Sequence, residues 1–420
     1  MAFLFMLKLP ANAQFVQQVE LEDCREKAVQ NFPISRQYQM LEESSRLKVE
    51  NLNANYLPQL DLNGQATYQS DVTKVELDLP PTFNVSIPEP SKDQYKLTLD
   101  LSQVIYDGGA TSKQKDLEGI KLEAGKTSVA LQLYQIKERV NQIYFGIILL
   151  KKNKALLEVL KETISAKLKT IKSAAEHGTA LKKDVNNLKA ELLKIEQNMN
   201  NLEVEIRSRL QMLSSFTGET YQAETKFVVP EIEIDLDYSA ANRLEYRILE
   251  LNQEKLGQNR KLVNSKNIPR IYGFGTAGYG QPGLNMLADE FESFYMLGIK
   301  LNWNIWNWNE NKKEKHILSL QQNILETEKE AFGLNLDIEL QSKIAEIEKY
   351  QGMIKKDAEI LELRSEIAET SSSQLDNGVI TTSDYISDMN AATRAKLDLE
   401  VHRIQLIKAK IDYKSSKGEL

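Results

Sequence analysis

Between Gln59 and Ser70, Leu60, Leu62, Gly64, Ala66 and Tyr68 alternate strictly with Asp61, Asn63, Gln65, Thr67 and Gln69. A period of two marks a β-strand with one apolar or small face and one polar face. The alternation returns where Tyr95, Leu97, Leu99 and Leu101 interleave with Lys96, Thr98, Asp100 and Ser102. It returns again from Tyr295 to Ile305, where Leu297, Ile299, Leu301 and Trp303 interleave with Met296, Gly298, Lys300, Asn302 and Asn304. The spacing predicts strand pairs at 59–70 with 94–105 and at 270–280 with 294–305, with tyrosine or tryptophan near their ends. Elsewhere the period lengthens. Val129, Leu133, Ile136, Val140, Ile143, Ile147 and Leu150 follow alternating steps of four and three, the seam of helices packed as coiled coils. This helical run extends from about Thr111 to Ala175, roughly 100 Å at about 1.5 Å per residue. It turns at His177-Gly178-Thr179 and returns through Val185, Leu188, Leu192, Ile195, Met199 and Leu202. A second run, from Asn309 to about Leu375, turns at Asn377-Gly378 and returns to Tyr413. Such rods are too long for a globular core and suit the crossing of a periplasmic space.

The chain repeats itself. Leu97, Leu101, Ile105 and Tyr106 return 200 positions later as Leu297, Leu301, Ile305 and Trp306, as do Gly178 and Asp184 at Gly378 and Asp384. Upstream, Pro58, Gly64, Ala66 and Tyr68 match Pro269, Gly275, Ala277 and Tyr279 at an offset of 211. One insertion of 11 residues between Tyr68 and Tyr95 (211 − 200) reconciles both offsets. The predicted organisation is a signal peptide over 1–13, a first repeat over 14–215, a linker over 216–236 and a second repeat over 237–420. Each repeat holds a helix, a strand pair and a long helical hairpin. The proline-rich segment Pro80-Pro81…Pro88…Pro90 carries the insertion and reads as an outward loop.

Alternating strands suit two settings: a sheet on a soluble core, or a membrane barrel with an apolar outer band, aromatic girdles and a wet lumen. No other segment offers an amphipathic face large enough to cover these strands, which favours the barrel. Four strands cannot close one, because about eight are the fewest that enclose a filled interior. Unpaired edges are not tolerated in lipid, so several copies must share the barrel. The expected fold is mainly α with a small β part.

Here the sequence resembles the TolC-like outer-membrane efflux protein family over nearly its whole mature length. The resemblance rests on the tandem copies, the strand-to-helix corner Tyr106-Asp107-Gly108-Gly109, and the hairpin tips Gly178…Asp184 and Gly378…Asp384. The closing Tyr413…Gly418-Glu419-Leu420 agrees with it. It implies a homotrimer with twelve barrel strands in outer-membrane lipid, continued by an α-helical periplasmic tunnel. It also implies docking through a periplasmic adaptor protein onto an inner-membrane pump or an ABC transporter of a type I secretion system. The family's pore-ring acids fall on Asp384 and on Ser387, with Asp388 beside it, and its latch acid on Asp184. The latch partners of Asp184 fall on Leu375 and Ile380, a departure from the family pattern. Independently of the family, three carboxylates around an axis form a ring that holds cations and repels anions. The alternative for Asp184 is a helix N-cap. Asp100 and Lys300 occupy equivalent positions in the two copies and are expected to form a lumen charge pair or ring.

The remaining composition narrows the chemistry. Lys and Arg number 53 against 60 Asp and Glu, for a net charge of −7 without a dense basic patch, so nucleic acid is not an expected partner. Cys24 is the lone cysteine, and the three histidines are scattered, leaving no expected metal or cofactor site. Gly273-Phe274-Gly275-Thr276-Ala277-Gly278 fits G-x-G-x-x-G, but turn residues follow it where a nucleotide site needs a helix. Glycines in a bending strand explain it better. Met1 to Gln14 combines an apolar stretch with Ala11-Asn12-Ala13, the pattern of a secretory leader and its cleavage site. The expected role is a passive exit duct without an enzyme's chemistry. The rivals are a soluble coiled-coil scaffold and a hydrolase, and no Ser/His/Asp or paired-carboxylate constellation favours the latter.

Overall fold

A computed structural model describes residues 18–73, 89–236 and 243–420. The expected leader over 1–13, most of the proline-rich insertion and the boundary at 237 lie outside these residues. In chain order the elements are β1 (Gln18–Val19), α1 (Leu21–Asn31), α2 (Gln37–Ala54), β2 (Gln59–Tyr68), β3 (Asp93–Tyr106), α3 (Ala110–Glu176) and α4 (Lys182–Thr217). There follow β4 (Lys226–Phe227), α5 (Leu244–Ser265), β5 (Arg270–Gln281), β6 (Glu292–Asn302), α6 (Glu310–Asp376) and α7 (Thr382–Lys417). The duplication is exact in its long helices, with α3 and α6 of 67 residues each and α4 and α7 of 36, whereas ahead of the strands the first copy has two helices, α1 and α2, where one was expected and the second copy has α5. The strands fall within a few residues of expectation. The largest difference is β6, which stops at Asn302 rather than 305.

The compact units cut across the repeats. One gathers Tyr38–Thr127 with Arg247–Lys329, and the other gathers the chain up to Gln37 with Ser128–Tyr246 and Glu330–Leu420. Each therefore takes corresponding parts of both copies.

The first unit is organised by an antiparallel sheet in the order β2-β3-β5-β6. β2 and β3 pair from Gln59↔Ser102 to Tyr68↔Asp93, and β3 pairs with β5 across the two repeats. Pairing between copies was not legible in the sequence, which specifies each hairpin but not its neighbour.

The second unit is helical. Val129, Leu133, Ile136, Val140 and Ile147 of the predicted seam are buried, with Ile143 and Leu150 packed against the same core. Val185, Leu188, Ile195 and Leu202 bury the returning face of α4. The segment read as a plain linker contains β4, which pairs in parallel with β1. Beneath this two-stranded ladder the Tyr144 hydroxyl lies 2.8 Å from the Val19 carbonyl and 2.7 Å from that of Val228. A buried phenol needs such a partner. Tyr144 sits in the α3 heptad region beside the seam, so periodicity gave no sign of its polar task. Cys24 is fully buried near Tyr221, and burial pushes its thiol up to about 11, which suits a packing role.

Candidate functional site

The register places the large apolar residues that alternate within β2, β3 and β6 on one face of the sheet, Met296 excepted. Leu62, Leu97, Leu99, Leu297, Ile299 and Leu301 share that face, and they are exposed: Leu62 by 69%, Leu297 and Ile299 by 75% each. A contiguous apolar patch of this kind marks a surface made for lipid or a partner. Its ends carry aromatic rings. Phe291 stacks with Tyr279 at 5.5 Å and with Tyr95 at 6.3 Å beyond one end. Trp303, Trp306 and Trp308 stand exposed beyond the other. From Ile271 to Tyr279 the apolar face of β5 extends about 26 Å, comparable to the apolar band of an outer-membrane barrel. Among the described residues the outer strands β2 and β6 each have one edge without a partner strand.

The opposite face carries the polar residues of β2 and β3. Asp100 sits there and accepts hydrogen bonds from Thr276 Oγ1 at 2.6 Å and from Asn63 Nδ2 and Thr98 Oγ1 at 2.8 Å each. Lys300 lies on the same face but pairs across β5 with Tyr272, whereas Asp100 pairs with Thr276. Among the described residues no ion pair joins Asp100 and Lys300 within the single chain, which leaves the expected lumen pair or ring to contacts between copies. Equivalent places in a repeat become distant once the two hairpins pair side by side.

The Gly273–Gly278 motif is strand throughout, within β5. Its glycines answer to crowding as well as to bending. At Gly275 a Cβ would meet Leu297 at 2.7 Å, and the Gly278 position is covered by the Phe294 ring.

At the first corner Asp107 organises the switch from β3 to α3. Its carboxylate accepts from Tyr56 Oη and Gly109 N at 2.8 Å each and from Thr111 N at 2.6 Å. Gly108 and Gly109 both adopt left-handed backbone, at φ +72° and +76°. Burial pushes the Asp107 carboxyl up, but hydrogen bonds from Thr111, Tyr56 and Gly109 outweigh it and hold the group below the usual carboxylate range. A folded-state value below the unfolded one stabilises above the unfolded value and is lost as pH falls through the folded one. Thermal stability of the parent should therefore decline below about pH 4 partly through this group. Asp107→Asn should lower stability near neutral pH and flatten that acid limb, as read by circular dichroism melts across pH. An unchanged acid limb would remove Asp107 from the account.

The second corner keeps the geometry with different residues. Trp308 and Asn309, at φ 52° and 62°, stand where Gly108 and Gly109 stand in the first copy. Asn311 and Asn267 are hydrogen-bonded to each other in place of the Asp107–Tyr56 tie, and Trp303 Nε1 donates to the Asn267 carbonyl at 3.0 Å. A tryptophan in left-handed backbone is an outlier that sequence reading had no reason to expect.

At the hairpin tips, Gly178 and Gly378 take left-handed backbone at φ +77° and +71°. Paired bonds close the two helices: Thr179 N to Ala174 O and Gly178 N to Ala175 O at the first, Val379 N to Gln374 O and Gly378 N to Leu375 O at the second. Asp384 is exposed and forms a capping box, accepting from Thr381 N at 3.1 Å and from Thr381 Oγ1 at 2.7 Å. Those bonds hold its carboxyl below the usual range. Asp184 is not the N-cap, which is Leu181, but the third residue of α4, from where it accepts from Leu181 N at 3.3 Å. It also accepts from the hydroxyl of Thr382 in the other hairpin. Asp388 accepts from the Ser371 hydroxyl.

Leu375 and Ile380, which stand where latch partners of Asp184 would be, are instead packed in the apolar core of the tip. Other residues join the two hairpins. Lys167 Nζ of α3 lies 2.9 Å from Asp376 Oδ1 and 5.2 Å from the centre of the buried Tyr385 ring. Asn187 Nδ2 donates to Ser383 Oγ at 3.2 Å, and Asn390 Nδ2 to Glu191 Oε1 at 2.8 Å. Sequence reading missed this clasp. Its one signal was the pairing of tip positions between the copies.

Among the described residues no helix is long and apolar enough to cross a membrane, and no group of three His, Cys, Asp or Glu is placed to hold a metal ion. No protein-family model and no curated protein matches the sequence. Solved structures do match its fold. The outer membrane protein VceC of Vibrio cholerae has a TM-score of 0.69 at 14% identity, covering 95% of this chain and 96% of that one. The outer-membrane channel OprN has a TM-score of 0.71 at 13% identity, covering 95% and 90%. The CmeC outer membrane channel of Campylobacter jejuni has a TM-score of 0.67 at 13% identity, covering 95% and 85%. The chain shares the fold of these outer-membrane proteins, the fold that the resemblance implied.

Proposed function

We propose that this chain is a passive exit duct of the outer membrane, three copies of which share one twelve-stranded barrel continued by a helical periplasmic tunnel. The observation that carries the reading is the four-stranded sheet: an exposed apolar face, a more polar face behind it, and two edges unpaired among the described residues. In lipid those edges must be closed by strands of other copies. Aromatic rings at both ends of the apolar face support the same placement. A soluble scaffold would leave that face in water, where apolar surface costs about 25 cal/mol per Å².

On this reading the chain performs no chemistry. An inner-membrane pump or an ABC transporter supplies the energy, and a periplasmic adaptor joins it to the duct. Asp384, exposed in the capping box of the second tip, is the acid best placed to face a pore. Asp184 already serves the clasp through Thr382, and Asp388 is held by Ser371 of its own hairpin, so their part in a ring is secondary.

Purified in mild detergent, the full chain should behave as a trimer and conduct ions across planar bilayers. A monomer that partitions with the aqueous fraction would overturn the reading. Asp384→Asn should reduce preference for cations over anions, measured as a shift in reversal potential under a salt gradient. Lys300→Ala should shift it towards cations. Unchanged potentials would detach both residues from the conduction path.

A further inference from the structure

The face of the sheet that bears Asp100 is not uniformly polar. On β3 it carries Lys96, Thr98, Asp100 and Ser102, whereas on β5 and β6 it carries Tyr272, Phe274, Phe294 and Met296. A conduit that needs only to be wet has no use for three rings and a thioether, since barrel strands normally present polar side chains inward. The two phenylalanines lie across glycines directly opposite in the ladder: Phe274 faces Gly298 and Phe294 faces Gly278. A Cβ at Gly298 would sit 2.6 Å from the Phe274 ring. The glycines thus let both rings lie down on the wall instead of standing into the conduit.

The two rings differ in what approaches them. Lys96 Nζ stands over Phe294, 5.3 Å from its centre. Phe274 instead lines a recess of about 540 Å³ together with Tyr272, Thr276, Asp100, Lys300 and Asn302. That volume falls in the range of small-molecule sites, roughly 300–1,000 Å³. Asp100 is committed to three donors. Lys300, among the described residues, has no hydrogen-bond or ion-pair partner. A recess with aromatic faces and one uncommitted cation complements a flat ring bearing an acidic group.

We propose that this recess is a binding station for planar aromatic acids, with Phe274 and Tyr272 receiving the ring and Lys300 the carboxylate. The station rests on the exit-duct reading only for its exposure to cargo. It deepens that reading by naming a cargo class that pauses on the wall.

The test uses 2-naphthoate and the detergent-purified full chain, with binding read by the probe's fluorescence anisotropy. The parent should bind saturably, and cyclohexanecarboxylate, which is acidic but not aromatic, should compete poorly. Phe274→Leu should weaken binding roughly three- to tenfold, the worth of one aromatic pair. Gly298→Ala, which keeps the ring but displaces it, should weaken binding in the same direction. Lys300→Ala should weaken naphthoate while leaving neutral 2-naphthylmethanol unchanged. Melting curves for each variant verify that the sheet is intact, and Lys300→Ala serves as the variant least able to disturb it. Absence of saturable binding, or parent-like binding in Lys300→Ala, overturns the station. Conductance of the same preparation separates the two ideas. A channel that conducts but ignores naphthoate overturns the station alone, whereas a chain that binds naphthoate but never conducts overturns the duct.

Discussion

Gly108→Val should cost the strand-bearing unit several kcal/mol and be the most damaging single change at either corner. Two independent penalties coincide there. Left-handed backbone, at φ +72°, costs an L-residue with a Cβ about 1–2 kcal/mol. An added Cβ would also lie 2.9 Å from Ile268 Cβ and 3.2 Å from the Ser265 carbonyl, and such overpacking costs about 1–3 kcal/mol. Gly178→Ala isolates the first penalty, because that glycine is equally left-handed but has nothing within 4 Å of its Cβ position. It should therefore cost only about 1–2 kcal/mol. Thermal melts of the detergent-purified variants, with trimer content followed on gels, give the comparison. Equal melting of Gly108→Val and Gly178→Ala would mean that the Ile268 contact is not a constraint.

The second large effect is expected at the tips. Combining Thr382→Val with Lys167→Ala should part the two hairpins. Thr382 is fully buried and its hydroxyl serves Asp184, so valine keeps the volume and leaves the carboxylate without that donor. Asp184 is half-buried and keeps the Leu181 N–H, so losing this one bond costs about 0.5–1.5 kcal/mol. That loss alone raises the population of parted tips roughly two- to tenfold. Lys167 adds an ion pair to Asp376 and a cation over Tyr385, both removed by alanine. Faster hydrogen exchange at the start of α7 would report the parting directly. On the exit-duct reading, bilayer conductance should rise with it. Parent-like exchange in the double variant would show that the apolar tip core, with Leu375 and Ile380 in it, holds the hairpins unaided.

The heptad seam predicted both long helices closely, because burial on a helix repeats with the backbone and leaves its period in the sequence. Alternation did the same for the strands. The second corner escaped notice because Asn307-Trp308-Asn309 has no glycine to mark left-handed backbone, and only the 200-residue offset from Asp107-Gly108-Gly109 could have exposed it. The clasp at the tips escaped for another reason. Lys167 and Asp376 are 209 residues apart, and a lone lysine on a polar helix face looks the same whether solvated or paired.

Local periodicity and the duplication by themselves determined the long helices, their lengths, the amphipathic strands and, on the exit-duct reading, the demand for further copies to close the sheet. These features depend on interactions a few residues apart, or on a count of strands, and the linear chain records both. Which strand lies beside which, which carboxylates are committed to clasps, and which rings lie across glycines were decided only when distant segments packed together. Opposing side chains are chosen by the ladder register and by the volume each leaves, and neither is written along the chain.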